Sequence, residues 1–247
     1  MAKTKEKTLT EELEGLMTSF RHKHGTDLVI VMNDLLDYII GFIDPTGKPI
    51  DGWRHTQEEN EEFYNMMLCY FRTMATALSS MSWFDAWGDL IMSLRNKGGG
   101  FEQYFTPAGV CEAMAMSLIR NRTENVTAFI DFGARCVIND PSCGSSRNLL
   151  ASHAAIIKRG ERAPYLVGED IDILCCKISA VNMAAHGALG EVVCHNTLTE
   201  PDSVRSGYIV NHLCYKESRG IPDIVRSKEE NQFFAAKVWR ERIGEDI

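Results

Sequence analysis

Four short apolar runs in the second half of the chain each end in an acid or an amide. They are "CVIND" closing on Asp140, "PYLVGED" on Asp170, "EVVCHN" on Asn196 and "GYIVN" on Asn211. A helical stretch to about Lys158 follows the first run. The second is followed by "IDILCCKISAVNMAAHG", where Leu174, Ile178, Val181 and Ala185 share a face and Gly187 supplies a stop. Strand, helix, strand, helix, strand is the pattern of an α/β chain with a parallel sheet and helices on its faces. In such sheets ligands sit beyond the carboxyl ends of the strands, so the loops after Ile138, Val167, Val193 and Val210 are where a site is expected.

The first hundred residues have a different period. "LTEELEGLMTSF", with Thr10 as a cap, puts Leu13, Leu16, Met17 and Phe20 at helical spacing, and "DLVIVMNDLLDYIIGF" continues in the same style. From Thr56 to about Leu78, Phe63, Met66, Met67, Tyr70, Phe71 and Met74 form one face, a stripe that reads as core. A helix from about Trp83 to Arg95 ends in "NKGGG". These elements predict a helical region over 1–98 and an α/β domain over 99–247. The tail "EENQFFAAKVWRERIGEDI" predicts an amphipathic helix carrying Phe233, Phe234, Val238 and Trp239, placed to cover a sheet edge.

Composition narrows the function classes. The chain of 247 residues is 45% hydrophobic and 24% charged, as in ordinary globular proteins. It has no apolar run of spanning length and no signal-peptide pattern, which predicts a cytoplasmic protein with no membrane partner. None of its eight cysteines forms a C-x-x-C pair, so reduced thiols are expected, with neither zinc nor disulfides. His153, His186, His195 and His212 lack metal partners at ligand spacing, and no metal site is predicted.

The loops carry chemistry as a set. After Asp140, "PSCGSS" bends the chain through Gly144, where backbone can approach a ligand at a helix start. Asp170 lies about 30 residues further on, the place of an acid that accepts ribose hydroxyls, and Asn196 suits an adenine edge. An adenosyl ligand lying across the first three strands would meet Asp140, Asp170 and Asn196 in that order. G-x-G-x-x-G is absent, which disfavours a nicotinamide enzyme.

"FEQYFTP", then "NDPSCGSS", then "GEDIDILCCKISAVNMAAHG" resembles the modification subunits of type I restriction systems and, more broadly, the N6-adenine DNA methyltransferases that use S-adenosylmethionine. The resemblance spans roughly Gly100 to Asn211. It implies a Rossmann-like methyltransferase sheet behind the N-terminal helical region. It also implies that Tyr104, Phe105, Thr106 and Pro107 lie across the methionine end of the cofactor. Asp140, Pro141, Cys143, Gly144 and Ser145 would form the cofactor loop, Asp170 would hold the ribose, and Asn182, Met183, His186 and Gly187 belong to the helix that follows. The same resemblance makes DNA the substrate, and a specificity subunit or a second copy of the chain a partner. Thr106-Pro107 also suits a helix start on local grounds alone.

The sequence departs from the family pattern at three places. Ser146 stands at the second glycine of the loop, and Asn196 replaces an acid after the third strand. "VNHLCY" replaces N-P-P-[FY], leaving Asn211 to orient an adenine amine and Tyr215 to stack on a flipped base. About 35 residues follow this motif, so a truncated sheet is expected. The expected activity is S-adenosylmethionine-dependent methylation of adenine N6 in DNA. The rival is a non-catalytic subunit, decoy or anti-restriction factor with the same fold, borne by a phage or mobile element. Methylation of RNA or protein is a third reading. The net charge of −8 bears on all three. Duplex DNA should bind the isolated chain weakly, and anisotropy titrations at about 50 and 200 mM salt should show the affinity falling steeply.

Overall fold

The computed structural model describes residues 9–98, 100–120, 136–198, 204–218, 220–229 and 232–235. Among them, helices α1 (Glu11–His24), α2 (Leu28–Ile43), α3 (Gln57–Leu78) and α4 (Ala86–Asn96) come first, then α5 (Ala108–Arg120). The α/β part follows as β1 (Val137–Asp140), α6 (Arg147–Lys158), β2 (Tyr165–Asp170), α7 (Ile173–Ala185), β3 (Leu189–Cys194), β4 (Ser206–Val210), α8 (His212–Lys216) and β5 (Ile224–Ser227). The fold class is α/β, as the alternation of periods predicts.

Local signals account for most helix starts. Thr56 and Glu59 form a reciprocal capping box on α3, Asp27 caps α2 through Val29 N–H, and Asp85 caps α4 through Gly88 N–H. Thr10 precedes α1 as expected, but its side chain makes no capping bond, and its carbonyl alone takes Glu14 N–H. α5 begins at Ala108, with Pro107 C=O accepting from Val110 and Cys111, one residue later than Thr106-Pro107 suggests.

The sheet order is β1-β2-β3-β4-β5. β1, β2 and β3 are parallel, whereas β4 runs antiparallel to β3 and β5 antiparallel to β4. The expectation of four loops on one edge is therefore corrected at the fourth strand. A parallel crossover takes a dozen or more residues, usually with a helix, and the connection 195–205 is too short for one. β4 folds straight back, pairing Cys194 with Ser206 and Gly190 with Val210. The residue after Val210 thus sits beside the start of β3, not its end.

One hydrophobic core runs from Leu13 in α1 through α2, α3, α4 and α7 to Val192 and Ile224 in the sheet. α2 is pinned to α7 by Lys177, whose Nζ lies 2.8 Å from both Asp37 and Asn33. Burial raises the Asp37 carboxyl and the Lys177 charge opposes that shift. On the other sheet face Tyr165, Val167, Leu189 and Val193 pack with Phe233 and Ala235. Val238 and Trp239 of the expected tail helix lie outside the described residues.

The segment 233–235 is held by shape and by charge. The Phe233 ring is fully buried over Gly207, where a Cβ would overlap it. Glu191, buried inside β3, accepts from Phe234 N–H (2.9 Å), Ala235 N–H (2.7 Å) and Tyr165 O–H (2.9 Å). These three donors offset the cost of burying a carboxylate, which still raises its pKa. Phe233→Ala should lower stability by about 3 kcal/mol in urea unfolding. Gly207→Ala should also destabilise alone, yet add little to Phe233→Ala, because the ring it strikes is gone; additive losses would place the ring elsewhere.

Candidate functional site

The carboxyl ends of β1, β2 and β3 bring three loops together. Cys143 N–H donates to Glu169 C=O at 2.9 Å, and Gly144 N–H donates to the Asp170 carboxylate at 2.9 Å. Asp170 takes Asp172 N–H on its other oxygen at 2.9 Å, and its carbonyl accepts His195 N–H at 3.0 Å. Thr197 Oγ1 reaches Pro141 C=O at 3.3 Å, and Asn196 folds its own loop by accepting Leu198 N–H at 3.1 Å. Asp140 accepts from Ser142 N–H and from the Asn148 amide, which sets the first bend. Asp140, Pro141, Gly144, Asp170 and Asn196 are thus neighbours on one edge, in the order expected.

The bend itself turns its side chains inward. Cys143 and Ser145 are buried, and Ser146 is fully so. Cys143 packs on Ser179 of α7, and burial pushes its thiol well above the ordinary range, which leaves it no role as a nucleophile. Ser146 adopts φ +68°, the left-handed region natural to the glycine it replaces, and its hydroxyl bonds to Ser179. Its side chain points into α7, away from the outer face of the loop. Gly144, at φ +55°, turns the bend without a side chain.

Across this edge runs the segment 101–107, a strap. Gln103 donates to the Asp172 carboxylate at 2.7 Å, and Asp172 also caps α7 through Leu174 N–H. Phe105 is buried, and its ring covers Gly144: a Cβ there would come within 3.1 Å of it. Tyr104 is exposed and lies under the Arg95 guanidinium, 3.3 Å from ring centroid to Cζ. Thr106 turns its carbonyl toward Arg147, at 3.2 Å from Nη1.

Asn211 and Tyr215 are not part of this edge. The antiparallel course of β4 carries Asn211 to the opposite end of the sheet. There its amide donates to Ala188 C=O at 2.8 Å and its oxygen accepts Asp223 N–H at 3.1 Å. It is fully buried, with φ +60°, and closes the turn before α8. Tyr215 donates its hydroxyl to Gly187 C=O at 3.1 Å, on the same far side. The expectation that this pair orients and stacks a base is corrected by strand direction. Nor does Asn precede Pro anywhere in the sequence.

Two groups at the edge escape sequence reasoning. Glu169 and His195, both 1% exposed, pair at 2.5 Å between the ends of β2 and β3. Asp85, at the start of α4, accepts from Ser145, Arg147 and Asn182. The helix itself was legible from about Trp83 to Arg95, but its cap at Asp85 and the partners of that cap, 60 and more residues away, were not. Among the described residues no cluster of His, Cys, Asp or Glu is arranged to hold a metal, and no helix is long and apolar enough to cross a membrane.

A family model for N-6 DNA methylases matches residues 85–245, starting at this same Asp85. The chain belongs to the N-6 DNA methylase family. No curated protein sequence matches it. Among solved structures it is similar to a crystal structure described as a class I S-adenosylmethionine-dependent methyltransferase from Listeria monocytogenes. The identity is 13% and the TM-score 0.48, over 78% of this chain and 55% of the other, so the chain spans about half the length of that protein.

Family membership implies S-adenosylmethionine, and the donor set at this edge fits it. A carboxylate offers about four acceptor positions, and the two backbone bonds on Asp170 leave capacity for a diol. The glycine backbone and the acid sit side by side, tied by a direct bond. Asn211, by contrast, is structural: Asn211→Ala should cost about 1–3 kcal/mol in denaturant unfolding, from unpaired Ala188 and Asp223 groups and from a strained left-handed alanine. Its affinity for S-adenosylmethionine by calorimetry should equal that of the parent.

Proposed function

We propose that this chain binds S-adenosylmethionine at the β1–β3 edge and serves adenine-N6 methylation of DNA. The reading is carried by the Gly144 N–H to Asp170 carboxylate bond, which sets a glycine bend against an acid at adjacent strand ends. Asp170 holds the ribose hydroxyls, Asn196 contacts the adenine edge, and the Gly144 backbone faces the methionine portion. Asp140, Pro141, Cys143 and Ser145 shape the bend from behind. The strap residues Tyr104, Phe105, Thr106 and Pro107 close over it. When bound, the cofactor supplies an electrophilic methyl on its sulfonium.

A methyl acceptor amine must have its hydrogens held so that the nitrogen lone pair faces that methyl. Positioning errors of about 1 Å cost on the order of 10²-fold in rate. Asn211 lies on the far side of the sheet with its amide already bonded to Ala188 C=O, so it does not serve. The amine-holding groups then come from elsewhere, and a DNA-recognising subunit or a second copy of the chain is the source that fits a net charge of −8. The same observation favours a second reading, a non-catalytic subunit or anti-restriction factor that keeps the cofactor fold.

Isothermal titration of the purified chain with S-adenosylmethionine tests the binding reading. Asp170→Ala should lose about 1.5–3 kcal/mol of affinity, roughly ten- to a hundredfold. No binding by the parent would end the cofactor reading, and equal binding by Asp170→Ala would remove that residue from the site. Tritium transfer from labelled cofactor to adenine-containing duplex then separates the two functional readings. Transfer only when a partner subunit is added supports methylation, and cofactor binding without transfer under any pairing supports the non-catalytic one.

A further inference from the structure

Arg147 opens helix α6 directly behind the cofactor bend, and its side chain is largely buried. Each arm of its guanidinium goes to a different place. Nε donates to Asp85 at 2.6 Å, Nη2 to Asp89 at 2.5 Å, and Nη1 to Thr106 C=O at 3.2 Å. The guanidinium also lies 5.9 Å from the Phe105 ring centroid, on the ring that covers Gly144.

Asp85 is the counterpart. It is 3% exposed and accepts four donors: Gly88 N–H at 2.8 Å, the Asn182 amide at 2.7 Å, Ser145 Oγ at 2.5 Å and Arg147 Nε at 2.6 Å. Gly88 is required by this crowding, since a Cβ there would overlap the Asp85 carboxylate and press on Arg147 Nη2. Asn182, in turn, donates to Ser145 C=O at 3.0 Å and accepts from Tyr70 O–H at 3.3 Å. The strap, the bend and two N-terminal helices therefore meet on one charged pair.

We propose that Arg147, held by Asp85, is a positioning residue: it fixes the 101–107 strap against the Gly144 bend, so that helix α4 sets the shape of the cofactor edge. The cofactor part of this inference rests on the binding function proposed above. A guanidinium is needed because its three nitrogens reach separate acceptors on Asp85, Asp89 and Thr106, whereas all three donors of an ammonium sit on one nitrogen. A plain structural staple between α4 and α6 would need only the charge opposite Asp85. Holding Thr106 C=O needs the third arm.

That difference gives the test. Arg147→Lys and Arg147→Met are compared with the parent by thermal unfolding, by S-adenosylmethionine titration and by amide hydrogen exchange across residues 101–107. Arg147→Lys should recover most of the melting temperature that Arg147→Met loses. It should still bind S-adenosylmethionine about tenfold more weakly than the parent, and its strap amides should exchange about tenfold faster, with α2 unchanged. Lysine restoring affinity and strap protection together with stability would overturn the proposal, leaving a simple staple. So would faster strap exchange with parental affinity. Should Arg147→Met fail to fold, Asp89→Ala replaces it: it removes the half-exposed outer acceptor alone, and unchanged strap exchange in both it and Arg147→Lys overturns the inference. If the parent binds no S-adenosylmethionine, the binding function fails by itself. Strap exchange in Arg147→Lys then still decides whether Arg147 holds the strap: faster exchange supports it and parental exchange overturns it.

Discussion

A single buried carboxylate, Asp85, organises the junction on which the candidate site depends. Burying a carboxylate costs several kcal/mol unless hydrogen bonds and an opposite charge replace its water. Four donors do so here, from α4, α6, α7 and the bend after β1. Because each donor belongs to a different segment, the network closes only when the N-terminal helices and the sheet are docked. Removing one partner would leave a charge stranded in a dry place, so the geometry is enforced by the penalty for missing it. The hydrophobic core that crosses the same junction provides the adhesion, and the polar network provides the registration.

The direction of β4 is the second constraint. Three parallel strands place their carboxyl ends together because each crossover carries a full helix. The next connection has no length for one, and the chain reverses. This reversal separates two groups of polar residues that look alike in the sequence. Asp140, Asp170 and Asn196 meet across loops, with capacity to bind something further. Asn211 ends a strand in the same style but finds Ala184, Ala188 and Asp223, and its hydrogen bonds go to closing a turn. An asparagine saturated by backbone partners has no spare geometry for a substrate amine.

Family membership and site geometry thus carry different weight for different parts of the reaction. The β1–β3 edge has inward-turned serines, a glycine bend and an acid tethered to it. The acceptor side has no counterpart among the described residues.

The sequence alone was sufficient for the fold class, the helix faces and the β1–β3 edge, because those depend on short-range periodicity and on acids placed at strand ends. Phe63, Met66, Tyr70 and Met74 share a face in any helix of 3.6 residues per turn, and they are buried as a stripe. The motif residues at Gly144 and Asp170 were legible for the same reason, their chemistry being local to one bend and one strand end. Strand direction was not legible at β4, since alternation and apolar content are the same for parallel and antiparallel pairing. Nor was the role of Arg147, a charged residue in a helix's first turn that by itself reads as solvated surface. Only the tertiary structure brought Asp85, Asp89 and Thr106 around it, because contacts between residues so far apart in the chain are decided by how the layers pack.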